Sequence, residues 1–107
     1  MGYVYLICDP KNDYYKIGVT TGSIERRIKK LQTGNGTELH IVSWYKCPYP
    51  FKLEKLLHNK FRMEREHGEW FSLSTSEVLG FVSTCEETQR AVDALMENPF
   101  FNRSLPR

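Results

Sequence analysis

The chain reads as one α+β domain, a small and mainly antiparallel sheet flanked by helices, and three observations lead there. First, two runs of β-formers, GYVYLIC (Gly2–Cys8) and YYKIGV (Tyr14–Val19), flank the dense turn signal DPKND, the pattern of an antiparallel hairpin. Second, later segments carry apolar residues at helical spacing instead of alternating them. Third, 107 residues, 40% hydrophobic and 26% charged, suit a single core.

Each element has its own justification. Gly2–Cys8 barely alternates, so its strand is expected to be largely buried. After the second strand, Ser23 is placed to cap a helix running to about Gln32, and Gly34 to end it in a left-handed cap. Glu38–Cys47 (ELHIVSWYKC) forms a third strand, ended by PYP. Phe51–Glu66 reads as a second helix with Leu53, Leu56, Leu57 and Phe61 on one stripe. Gly68–Ser74 (GEWFSLS) is short and extended, with Glu69 expected to pair with a basic residue. Ser74-Thr75-Ser76-Glu77 resembles a capping box for a long last helix toward Glu97, which Pro99 must end. Trp44, Trp70, Phe71 and Phe61 are assigned to the core, and the last helix to covering the sheet.

Composition narrows the setting. No apolar run approaches the ~20 residues of a membrane span, and no basic-then-apolar leader opens the chain, so an intracellular protein is expected. Three widely spaced cysteines, without CxxC or Cys/His pairing, predict reduced thiols and no zinc site. The net charge of +2 is unevenly spread: residues 1–65 hold 12 Lys/Arg against 6 Asp/Glu, and residues 66–107 hold 3 against 7. A basic lobe of this kind fits a polyanion, although lysines on a helix also serve solubility alone.

Two helices aim polar groups toward the core. With ~100° per residue, Ile24, Ile28 and Leu31 share a stripe that Arg27 borders, whereas Arg26 points away. A semi-buried guanidinium needs an anionic partner: a phosphate, or an internal carboxylate such as Glu54. On the second helix, Glu54 and His58 stand at i, i+4 beside the apolar stripe. They are either a helix-stabilising pair or a metal ligand with a proton acceptor.

In order and spacing these residues resemble the GIY-YIG nuclease family over about Gly2 to Ser74. Val4-Tyr5 corresponds to the first strand motif, Lys16-Ile17-Gly18 to the second, Arg27 to the helix arginine and Glu54, in LEKLLHNKF, to the metal-binding glutamate. KIGVT, RIKKL, LEKLLH and GEWF are similar to a compact branch common in phage and viral proteins. Two features depart from the family pattern. YIG reads KIG here, and the arginine sits one residue further from its glycine than in many relatives, which leaves Arg26 a rival that helical phase disfavours.

The resemblance implies a nuclease core over residues 1–74, with 75–107 as a helical extension packed on the same domain. It implies hydrolysis of DNA phosphodiesters with one Mg²⁺ or Mn²⁺ held by Glu54, and Arg27 stabilising the phosphoryl charge. Tyr5 would accept the proton from water. Lys16 would contact phosphate or lower the proton affinity of Tyr5, and His58 would act as base or orient Glu54. Gly18, Arg26, Lys29 and Lys30 are the expected DNA contacts. Specificity would come from a homo-oligomer, a protein partner or the DNA's structure. A catalytically weak nucleic-acid-binding protein and a phage-type interaction or inhibitor module are the competing functions.

Overall fold

A computed structural model of the chain describes residues 1–97. Its order is β1 (Gly2–Asp9), β2 (Tyr14–Thr20), α1 (Ile24–Thr33), β3 (His40–Cys47), α2 (Pro50–Lys60), β4 (Arg65–His67), β5 (Trp70–Phe71), α3 (Thr75–Leu79) and α4 (Phe81–Glu97). The five strands form one antiparallel sheet in the order β3-β1-β2-β5-β4. The expected α+β class and antiparallel sheet are therefore present.

Successive residues of β1 point to opposite faces, and the two faces bury different partners. Val4 and Leu6, with Ile17, join Leu53 and Leu57 of α2 and Phe81, Cys85 and Val92 of α4 in the main core. Tyr5 and Ile7 face the other way, toward Leu39 and toward Ile28 and Leu31 of α1. Thus α1 lies on one face and α2 and α4 on the other. Cys47 and Cys85 are buried, Cys8 is half-buried and all three are free thiols.

Ser23 caps α1 as expected, its side chain accepting from the Arg26 N–H. Gly34 does not adopt the expected left-handed cap, because its φ is −93°. The segment after α1 is held instead by the Gln32 side chain, which donates to the Thr37 carbonyl at 2.6 Å and accepts from the Leu39 N–H at 2.7 Å.

Three further expectations are corrected. Helix α2 stops at Lys60, short of Glu66, because Phe61 turns into the core and Arg65–His67 pairs with β5 across a hairpin. The hairpin turns at Gly68, with φ of +54°, a conformation glycine adopts without steric cost. The last helix is two helices, interrupted at Gly80, although the Ser74–Glu77 capping box is formed in full. Trp44 is 55% exposed instead of buried. Pro99 and its helix stop lie outside the described residues.

Candidate functional site at the open edge of strand β2

Strand β5 pairs with β2 only at Tyr15 and Lys16. Beyond them the outer edge of β2 carries no strand, and its carbonyls need other donors. The Ile17 carbonyl accepts from His58 Nε2 at 2.8 Å, and the Val19 carbonyl from an Arg27 terminal nitrogen at 3.3 Å. His58 reaches the edge from α2 on one face and Arg27 from α1 on the other, so the edge becomes a meeting point of both helices. A carbonyl only accepts, so Nε2 of His58 carries the hydrogen; in the neutral ring this leaves Nδ1 with its lone pair.

Charged groups gather at this point. Lys16 pairs with Glu69 at 2.8 Å and lies 5.6 Å from the centre of the Trp70 ring. Glu54, His58 and Glu69 bring one ligand-capable atom each within 4.8 Å of one another, the spacing of a group able to hold a cation. Burial foremost, and then the Glu69 carboxylate beside it, push the Glu54 acid up to about 7 against the weaker pull of Lys16 and Arg27. For Glu69 burial acts in the same upward direction, but the Lys16 ion pair outweighs it and holds the acid low. One carboxylate of the two is thus neutralised by lysine, and the other is left without a cation of its own. Two buried atoms lack any hydrogen-bond partner here, Glu54 Oε2, an acceptor, and Arg27 Nε, a donor.

Tyr5 occupies the floor. It stands opposite Gly18 in the register, and a Cβ at Gly18 would clash with its phenolic oxygen and the adjoining ring carbons. Gly18, expected among the DNA contacts, is buried and makes room for the tyrosine instead. With Tyr5 only 2% exposed, burial pushes its hydroxyl up to about 12, and the opposing field of Arg27 does not compensate. The phenol therefore keeps its proton at neutral pH. That suits a hydrogen-bond donor better than the proton acceptor expected from the sequence.

Tyr5, Lys16, Arg27, Glu54 and His58 thus come together at one edge of the sheet. Arg26, Lys29 and Lys30 are exposed on α1, as helical phase predicts for Arg26. The Glu54–Arg27 ion pair considered above does not form, since among the described residues the only lysine or arginine ion pair is Lys16–Glu69. Glu69 was anticipated as the partner of a basic residue but not as a member of the site. It lies in the turn just before β5, and its one sequence signal was the expected pairing with a basic residue.

Comparison with curated proteins and with solved structures gave no match. A family model does match, and its span from residue 2 to residue 86 takes in every strand of the sheet, α1, α2 and the whole edge cluster. By that match, over most of its length, the chain belongs to the T5orf172 domain family.

Proposed function

We propose that the chain is a metal-dependent endonuclease acting on DNA phosphodiesters by GIY-YIG-type chemistry, with the β2 edge as its active site. The family is a phage-associated domain related to nuclease folds, which supports the class without specifying the reaction. One observation carries the rest: an orphaned carboxylate oxygen on Glu54 and an orphaned guanidinium nitrogen on Arg27, both buried in the same cluster. Buried polar atoms without partners are costly. An acceptor and a donor left open together are what a cation and a phosphate would fill.

The donor set fits a hard divalent cation, with oxygen from Glu54 first and Glu69 within reach. Bound there, Mg²⁺ or Mn²⁺ would supply charge neutralisation at the phosphoryl oxygens. Arg27 then donates Nε to a non-bridging phosphoryl oxygen while its other arm stays on the Val19 carbonyl, so the group is held in position before substrate arrives. Tyr5, protonated, donates to a second phosphoryl oxygen or to the leaving oxygen. His58, its Nε2–H anchored on Ile17, offers Nδ1 to take a proton from water. Lys16 holds Glu69 in place as its ion-pair partner.

The test is plasmid nicking with and without Mg²⁺, comparing wild type with Glu54→Gln. Metal-dependent nicking by the wild type, abolished in a variant that remains folded and binds DNA, is the expected result. Equal nicking by both proteins overturns the metal-site assignment.

A further inference from the structure

One face of the sheet is only half covered. Helix α1 lies over Tyr5 and Ile7, but the corner made by Tyr3 and Trp44 remains open. In the register Trp44 stands opposite Tyr5 and Lys46 opposite Tyr3, which puts all four on the α1 face. Trp44 and Tyr3, with Ile41, line a cavity of about 510 Å³ closed on its far side by Gly22, Ser23 and Glu25 at the start of α1. A tryptophan more than half exposed in a pleated sheet forgoes the stabilisation that burying a large aromatic side chain would bring.

Across the same Gly22–Ser23 rim lies a second, smaller hollow of about 210 Å³, lined by Arg26, Arg27, Lys30 and Thr20. Its character is the opposite: three cations and no carboxylate. Arg27 belongs to both this hollow and the β2 edge, and Gly22 and Ser23 line both hollows, so the three features stand side by side.

We propose that the Tyr3–Trp44 pocket receives an unpaired nucleobase from the strand whose phosphate lies against Arg26 and Lys30. The preferred substrate is then a DNA with a single-stranded segment next to the cleaved bond, an inference that rests on the nuclease reading for the identity of the strand. Charge complementarity divides the nucleotide between the two hollows. Phosphate is drawn to the cations and kept out of the aromatic pocket by Glu25, whose carboxylate is held at its mouth by the Ser23 hydroxyl at 2.8 Å. A base carries no charge, stacks on an indole whatever its sequence, and offers amino hydrogens that a carboxylate accepts. A base-paired duplex cannot fill the pocket without first unstacking a base.

The test measures binding alone, in EDTA, by fluorescence anisotropy of a labelled single-stranded oligonucleotide and of the matching duplex. Trp44→Ala is expected to weaken single-strand binding roughly tenfold, the loss of one stacked base, and duplex binding less than twofold; Trp44→Phe should recover most of the difference. Intrinsic tryptophan emission should be quenched by the single strand in the wild type and not in Trp44→Phe, where Trp70 alone remains. Because the side chain is exposed, the variants are expected to melt with the wild type. Unchanged single-strand affinity in Trp44→Ala, or an equal loss on both DNAs, overturns the proposal. Neither result bears on metal-dependent nicking by Glu54, whose failure would instead be seen as a wild type that does not cut.

Discussion

At the residue scale, Glu54 separates a metal site from an ordinary buried acid. Its acid lies near 7 in the folded protein against 4.5 ordinarily, a raised value, so the neutral form is the one the fold favours. The associated stability is complete below about pH 4.5 and is lost as pH rises through 7. In EDTA the protein should therefore melt lower at pH 8 than at pH 5, and Glu54→Gln should remove much of that difference and melt above wild type at pH 8. Mg²⁺ or Mn²⁺ should raise the wild-type melting temperature at pH 8 and leave the glutamine variant where it is. A wild type indifferent to divalent cations at pH 8 would count against the site. Tyr5 and Gly18 give a second prediction. Gly18→Ala forces a methyl group into the Tyr5 ring, and overpacking of this kind costs about 1–3 kcal/mol, measurable as a shift in the denaturant midpoint. Tyr5→Phe keeps the ring and should spare stability while lowering the nicking rate.

At the element scale, the open edge of β2 makes the site, and only part of it was readable in advance. Apolar stripes at helical spacing identified Leu53 and Leu57, and phase alone separated Arg27 from Arg26. The short length of β5 was not readable, because it depends on the Gly68 turn and on Arg65–His67 leaving the helix for a strand. Arg, Met and Glu are good helix formers, so FRMERE argued locally for continuing α2, and tertiary pairing overrode it. Trp44 was misread for a related reason: its burial depended on how far α1 spreads over the sheet, which no local pattern encodes. The edge also explains how His58 is positioned. His58→Gln retains an N–H for the Ile17 carbonyl but no basic nitrogen. A pure capping role predicts normal cleavage in this variant, whereas a proton-accepting role predicts a fall of roughly 10²–10⁴ in rate with little change in melting temperature.

At the scale of the whole molecule, the charge asymmetry acquires a direction. The exposed cations Arg26, Lys29 and Lys30 stand on α1, beside the basic hollow and the β2 edge, while α4, with Glu86, Glu87 and Asp93, packs on the opposite face of the sheet. A polyanion approaching the α1 face meets the cations of the basic hollow, whereas the opposite face mixes the carboxylates of α4 with Lys52 and Lys55 of α2; on the proposed function, the α1 face is the side expected to take DNA. Counterions released from each neutralised phosphate make the logarithm of affinity fall linearly with the logarithm of salt concentration. Arg26→Ala, Lys29→Ala and Lys30→Ala should each lower that slope by about 1 if the side chain contacts a phosphate. The cleavage rate at saturating DNA should barely change, because none of the three reaches the Glu54–Arg27 cluster. Neutralising Glu86 and Glu87 together should leave the slope alone if DNA binds on the α1 face, which theirs opposes. Titrations in EDTA across a range of salt concentrations measure all four slopes. An effect of the Glu86/Glu87 variant as large as that of the α1 variants would mean that DNA is drawn by net charge alone and that the domain has no preferred face.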